Sequence, residues 1–418
     1  MMNSESGKRI HLLLLTAVFA VGLLLRMAMV VHNSRNPLLY DARNHASDAH
    51  EYDSIAKNLL AGKGYSVGYD ADPPLTMNRM PGYPFFLAGI YSISGPSPAA
   101  ARTVQVLIDM LVCLMIYRFT LAVQRHSQVA LLAAAAYMLH PLFWLHAAML
   151  ISDSLSVPFF VLAILVFYAG TEKADWKSYA LSGVLLGIAT LIRPTYLVMP
   201  LAMLVILLIL QPKQIVRSVA LTAVCSVALM MVLTPWIIRN YNVYHKFLPT
   251  VSANGYGFNL FAGAGPNHGE TINSISQLPP THPVRQEAER TSEVDCNGLY
   301  FREGIKLIKS DPANYMRLLV KKPFRLWFNL LHADPPSKSS MGVALLNLLV
   351  FIFAGIGMAK CHFPRSLTVV VLVLFVYWTA VHTFSQSHVR YAMSILPLIF
   401  PYTAAGFWWS VERVRGGK

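Results

Sequence analysis

Charge is what this sequence has least of. Of its 418 residues only 13% are Asp, Glu, Lys or Arg, against roughly 25% in a soluble globular domain. The shortage falls in apolar stretches of about 20 residues, the length that crosses a ~30 Å hydrocarbon core. A soluble fold is thereby excluded, and the chain reads as a multi-pass membrane protein. Cysteine is scarce too: Cys113, Cys225, Cys296 and Cys361 are the four. Their scatter among spans and loops gives neither a disulfide pair nor a metal-site spacing. No P-loop, G-x-S-x-G elbow, dinucleotide fingerprint or H-E-x-x-H pair occurs. That disfavours a nucleotide-driven cytoplasmic enzyme. No cofactor is expected; a divalent metal would have to rest on Asp48 with a neighbouring histidine such as His45 or His50.

Acidic residues are the scarcer sign, 20 against 34 Lys and Arg, for a formal charge of +14. In a soluble chain that excess would point to nucleic acid. Here the cations cluster in loops, where topology and anionic lipid explain them, and no basic tail supports a nucleic-acid partner. The N-terminal segment has the charge order of a signal peptide. Its apolar run is too long for one and no small-residue cleavage site follows, so a retained first span is expected.

Apolar runs and loop charge predict an all-α bundle of about ten spans in a single domain, 1–418. The spans are placed at 10–31, 100–123, 129–146, 152–170, 179–191, 196–210, 216–238, 341–358, 367–382 and 391–411. Segment 81–94 is apolar but short, and reads as a re-entrant or interfacial helix. With the N-terminus inside, cytoplasmic segments hold Lys8, Arg9, Arg125, Lys173, Lys177, Lys213, Arg217, Lys360, Arg365, Arg413, Arg415 and Lys418. Short outer turns carry only Arg193 and Arg390, each at a helix end, as the positive-inside rule asks. Two long loops, 32–99 and 239–340, then lie outside. Helices are expected in them at 49–60, 293–309 and 312–330, the last two separated by the stop-and-restart signal Asp311-Pro312.

The residues that stand out gather on that outer side. Asp48 opens a helical pattern with Tyr52, Ile55, Ala56 and Leu59 on one face. It reads either as a first-turn acid favoured by the helix dipole or as a catalytic carboxylate, and the roles are compatible. Asp41, Glu51, Asp53, Asp70 and Asp72 share its loop. Arg79 precedes Pro81, Gly82 and Pro84, which turn the chain at the membrane surface; it either meets headgroups or pairs with a phosphate or carboxylate. Asp153 starts a span on the same side, as a cap or as one of the costly membrane-bordering acids that tend to be functional. Arg193, Arg239-Asn240 and Arg390-Tyr391 bring three arginines to that face. Headgroup contact or a shared phosphate site accounts for them. Arg317, Lys321, Lys322 and Arg325, mixed with Leu, Phe and Trp, suit an interfacial amphipathic helix. Histidines such as His332, His382 and His388 are scattered without metal spacing.

Six segments carry a resemblance, in order along almost the whole chain: DAHEYDSIAKNLLAGKGY, NRMPGYPFFLAGIY, ISDSL, LIRP, PWIIRNY with FLPTVSANGYGFNLFAG, and HVRYAMSILP. Together they resemble the membrane glycosyltransferases of the C superfamily. The likeness is to bacterial proteins related to dolichyl-phosphate-mannose protein mannosyltransferases and to lipid A aminoarabinose transferases. Asp48 and Tyr52 match the family's first-loop pattern, although Ala49 stands where protein mannosyltransferases have a Glu. Arg79 falls where the aminoarabinose transferases have Lys, Asp153 on their second acid, and Arg390-Tyr391 on their last-span motif.

The resemblance implies transfer of a sugar from a polyprenyl-phosphate donor to a lipid, glycan or protein acceptor. It would occur at the outer, periplasmic face of a bacterial inner membrane, with inversion. In that scheme Asp48 is the base, Asp153 orients Arg79 or the acceptor, and Arg79, Arg193, Arg239 and Arg390 hold phosphate. Tyr52, Asn240 and Tyr391 complete the substrate site. Two alternatives stand beside it: a lipid-diphosphate-dependent ligase or polymerase, and a transporter or flippase for lipid-linked sugars. The two long outer loops weigh against a transporter.

Overall fold

The computed structural model describes residues 5–35, 48–173, 175–251, 255–330 and 338–416. Asp41, His45 and His332 lie outside these residues. Among the described residues there is helix but no strand beyond two isolated bridges, Ser66 with Leu75 and Asn267 with Glu270. The helices are α1 (Glu5–Ser34), α2 (Asp48–Leu60), α3 (Gly82–Ser94), α4 (Pro98–Gln124), α5 (Ser127–Leu139), α6 (Pro141–Ala147), α7 (Ser152–Lys173) and α8 (Trp176–Ile192). They continue as α9 (Met199–Leu210), α10 (Ile215–Tyr244), α11 (Tyr256–Gly263), α12 (Pro283–Arg290), α13 (Glu293–Ser310), α14 (Pro312–Phe328), α15 (Lys338–Lys360), α16 (Arg365–Phe384) and α17 (Leu396–Arg415).

Among the described residues six helices are long and apolar enough to cross a membrane, α1, α4, α7, α10, α15 and α16, or seven if a bent pair counts as one span. The chain is an integral membrane protein. By this measure the count of ten is not reached, and the differences have local causes. The span expected at 129–146 is broken into α5 and α6, bent by 52°. Pro141 disfavours helical backbone at the residue before it. His140 is accordingly extended, and its Nδ1 accepts from the Leu142 N–H at 3.2 Å, capping α6. α8 and α9 are shorter apolar helices, α9 following a 3-10 turn at Pro194–Tyr196. α17 is 20 residues long but falls short of that apolarity, and is preceded by a 3-10 turn, Val389–Ser394. The 13-residue α3 would extend only about 20 Å, too short to cross.

Small residues set how closely the spans approach. α8 packs on α7 and α10, and α15 on α17. On α8, Gly183 and Gly187 form a G-x-x-x-G pair facing α10, the small-residue pattern that lets membrane helices touch. A Cβ on Gly187 would lie 2.6 Å from Val232 Cβ and 3.0 Å from the Leu229 carbonyl oxygen. Gly187→Val should therefore wedge the helices apart and destabilise the fold by about 2 kcal/mol. Thermal unfolding in detergent would show it as a lowered melting temperature.

The loop segments carry their own packed helices. α2 and α3 share a core of Ala49, Tyr52, Tyr83 and Leu87 with Leu150, Leu155 and Ile192 at the ends of spans. α11 packs on α13 around Phe258, Phe261 and Tyr300. Asp311 separates α13 from α14: its N–H closes the first, and its side chain accepts from the Asn314 N–H of the second.

On α14, Lys322 is wholly buried, and its Nζ finds no hydrogen-bond partner among the described residues. Burial, with Arg325 nearby, pushes its ammonium down to about 7. An unfolded lysine keeps its proton to about pH 10.4. Between those values the unfolded chain binds the extra proton, so stability should rise with pH from about 7 to about 10. Lys322→Met should flatten that rise and stabilise the protein near neutral pH by up to about 4 kcal/mol. Melting temperatures measured across that range would check it.

Candidate active site

Two ion-paired constellations meet at one end of the bundle, supplied by helix ends far apart in sequence. α2 begins at Asp48, which places that carboxylate in its first turn. Asp48 Oδ1 accepts from Arg79 Nη2 at 2.7 Å, and Oδ2 from Arg390 Nη1 at 3.1 Å. The Nε of Arg79 donates to Glu51 Oε2 at 2.7 Å, and Asn78 Nδ2 donates to the same oxygen at 3.0 Å. The Arg79 guanidinium lies 5.3 Å from the centre of the Tyr52 ring. The Tyr52 hydroxyl in turn donates to Ser152 Oγ at 3.1 Å, tying α2 to the start of α7.

The second constellation is Asp153 with Arg193. Asp153 sits in the first turn of α7, and Arg193 is the residue on which α8 ends. They form a buried ion pair. The Tyr391 ring lies 5.4 Å from both the Arg193 and the Arg390 guanidiniums, and stacks on His382 at 4.5 Å. Burial works against the charge on all three arginines. Asp48 and Glu51 outweigh it at Arg79, Asp153 at Arg193, and Asp153, Tyr391 and Asp48 at Arg390, so each guanidinium is held more firmly protonated than usual. Burial pushes the Tyr52 phenol up, keeping it a neutral donor.

These groups line a cavity of about 380 Å³. Asp48, Tyr52, Arg79, Arg193, Arg390 and Tyr391 form its charged and aromatic side. Asn259, Asn273 and Gln386, from α11, the segment after it and the turn after α16, present amides. Among the described lining residues there are three guanidiniums to one carboxylate, with Glu51 and Asp153 bracing the arginines from outside the wall. Such a wall attracts an anion with several oxygen acceptors, for which arginine's forked donors are suited. Among the described residues no three His, Cys, Asp or Glu side chains group as metal ligands.

Arg239 and Asn240 are not among the residues that line this cavity. Helix α10 continues past them to Tyr244, carrying them inside the helix. Arg239 donates from Nη1 to the Thr76 carbonyl at 2.9 Å and from Nη2 to the Tyr65 carbonyl at 3.2 Å. Its guanidinium sits against the rings of Tyr65, Trp236 and Tyr244. Asn240 is fully buried and donates to the Leu248 carbonyl at 3.0 Å. Both hold loop backbone in place. Asp53, an acid of the same first loop, is also structural: the Tyr69 and Tyr91 hydroxyls each donate to it at 2.8 Å.

Sequence reasoning passed over two carboxylates that the structure makes prominent. Glu51 lies three residues after Asp48, a spacing that puts both on one helix face, so its signal was present. Glu293, at the start of α13, accepts from the Met77 N–H at 2.7 Å and the Thr76 hydroxyl at 2.9 Å. It joins the two loop segments 216 residues apart, a pairing without local signal. Burial pushes its carboxyl up despite those hydrogen bonds.

The profile of the family described as dolichyl-phosphate-mannose-protein mannosyltransferase matches residues 74–238. No curated protein sequence matches the chain. Among solved structures, the oligosaccharyltransferase AglB of Archaeoglobus fulgidus, in complex with an inhibitory peptide and a dolichol-phosphate, aligns over 99% of this chain and 53% of its own. Its TM-score is 0.54 at 11% identity. An apo oligosaccharyltransferase structure from that organism aligns over 97% and 52%, with TM-score 0.50 and 12% identity. ArnT of Cupriavidus metallidurans aligns over 86% and 71%, with TM-score 0.38 and 13% identity. The chain thus spans about half the length of the archaeal proteins it matches.

Spans and packing define a polytopic membrane protein whose fold is similar to that of the archaeal oligosaccharyltransferase AglB. Over residues 74–238 its sequence resembles the protein mannosyltransferase family.

Proposed function

We propose that this protein transfers a sugar from a polyprenyl-phosphate donor to a lipid, glycan or protein acceptor at the non-cytoplasmic face of the membrane. The observation that carries the reading is Asp48, held between Arg79 and Arg390 on a cavity wall that also contains Arg193. A monophosphate-linked sugar needs no acid for departure, because the leaving phosphate already bears charge. It needs cations to receive that charge and a base for the acceptor's proton. In this scheme the arriving phosphate takes up donors of Arg79 and Arg390 that now go to Asp48, which frees the carboxylate. The acceptor oxygen attacks C1, its proton passes to Asp48, and the C1–O bond breaks with the electron pair leaving on the polyprenyl phosphate. Arg193, fixed by Asp153, and Tyr391 steady the phosphate side.

The test is transfer by purified protein in proteoliposomes, with lipid-monophosphate and lipid-diphosphate sugars offered in parallel. Transfer from the monophosphate alone is expected. Transfer only from a diphosphate, or movement of lipid-linked sugar across the bilayer without a new glycosidic bond, overturns the reading. A single displacement inverts the anomeric centre, so a β-linked donor should give an α-linked product by NMR; a retained β linkage would refute that step.

A further inference from the structure

Helix α14 carries a cationic face that the proposed reaction does not use. Arg317, Lys321 and Arg325 recur every fourth residue, which aligns them on one side of the helix. All three converge on a single carboxylate, Glu270. Arg317 Nη2 donates to Oε1 at 2.9 Å, Lys321 Nζ lies 3.7 Å from Oε1, and Arg325 Nη2 donates to Oε2 at 3.2 Å. Three cations on one acid leave two positive charges in excess. The cluster is open to its surroundings: Arg317 and Glu270 are each 46% exposed and Lys321 is 27% exposed, while Arg325 is buried and anchored on Thr271 Oγ1 at 2.5 Å.

A second, independent feature lies one residue around the helix. Met316, Val320 and Phe324 also recur every fourth residue and are 60%, 64% and 46% exposed. An apolar stripe left open beside a cationic one is the arrangement of a helix lying in a bilayer interface. The level of α14 agrees. The Tyr315 hydroxyl donates at 2.9 Å to the carbonyl of Phe384, the last residue of the apolar span α16, and Phe384 is itself largely exposed. The helix therefore lies where α16 leaves the hydrocarbon. A free anion would not need the apolar stripe, and an apolar partner would not need the cations.

We propose that this face of α14 is a docking site for the phosphate headgroup of an anionic membrane lipid, with acyl chains along Met316, Val320 and Phe324. Arg317 and Lys321 reach the phosphate, and Arg325 holds the Glu270–Thr271 segment that closes the site. Hydrogen bonds from Arg317 and Arg325 hold Glu270 ionised, outweighing its partial burial, so the carboxylate competes with the lipid for the same cations.

The test is lipid retention by the full chain, read by native mass spectrometry after equilibration with phosphatidylglycerol and phosphatidylcholine in equal amounts. Wild type should retain phosphatidylglycerol preferentially. Each interfacial cation is worth ~1 kcal/mol towards anionic lipid, so Arg317→Gln with Lys321→Gln should reduce the preference by about tenfold or more. Glu270→Gln should increase it. Lys360→Gln with Arg365→Gln, at the far ends of α15 and α16, should leave it unchanged. An unaltered preference in the α14 double variant overturns the proposal. So does equal loss in the Lys360/Arg365 control, or displacement of the lipid by millimolar inorganic phosphate, which would mark a soluble-anion site. If the double variant does not fold, the gain in Glu270→Gln decides. No turnover is measured, so this outcome is independent of the transfer reaction.

Discussion

Asp48→Asn should lower the transfer rate by about 10²–10⁴-fold, the range associated with a lost general base, while leaving the lipid phosphate bound. The structure separates these two effects. Asp48 takes one donor from each of Arg79 and Arg390, so in the resting protein it competes with any phosphate for them. The amide keeps the side chain's shape but removes the charge. Phosphate affinity should then hold or improve while kcat collapses, a split that a merely structural carboxylate would not give. Arg79 keeps Glu51 and Arg193 keeps Asp153 in the variant, so the wall retains most of its ion pairs and a folded protein is expected. Single-turnover transfer together with binding of polyprenyl phosphate alone checks both halves. Near-normal transfer would remove Asp48 from the role of base. Weakened phosphate binding with unchanged turnover would make it a scaffold for the arginines.

How much of this was visible beforehand depends on the range of the interaction. Periodicity and loop charge placed the long helices, and the start of α2 and the boundary between α13 and α14 were legible from Asp48 and the Asp311-Pro312 break because helix ends are set by local chemistry. α11 and α12 lay in a stretch that reads as Gly- and Pro-rich loop, where short helices gain their stability from packing rather than propensity. At the site, Asp48, Arg79, Asp153, Arg193 and Arg390 were legible as charges at helix ends on one side. Their pairing was not, since Asp48 meets Arg390 across 342 residues. Arg239 stands apart from the cavity lining. Its charge and position matched the others, but whether a guanidinium faces a cavity or a carbonyl depends on how far α10 continues, and nothing in PWIIRNY stops the helix before Tyr244.

The largest stability effect is expected away from the cavity, at Asp109. Arg26 of α1 and Asp109 of α4 are both completely buried within spans, with Arg26 Nε donating to Asp109 Oδ2 at 2.8 Å. The Tyr137 hydroxyl of α5 donates to Oδ1 at 2.5 Å, and Arg26 Nη1 donates to the Gly22 and Met138 carbonyls at 3.1 and 3.0 Å. Three helices are thus joined through one carboxylate. Removing it as Asp109→Ala leaves a guanidinium inside the membrane with only carbonyls to face, a loss of about 3–5 kcal/mol by analogy with broken buried pairs. The measurement is folded yield and melting temperature in detergent. Replacing both partners, Arg26→Met with Asp109→Leu, removes the stranded charge and should recover most of the loss, because a well-packed apolar pair often equals a buried ionic one. If the pair instead serves the reaction, the double variant will fold and melt like wild type but fail to transfer sugar; recovery of both stability and transfer assigns it to holding α1, α4 and α5 together.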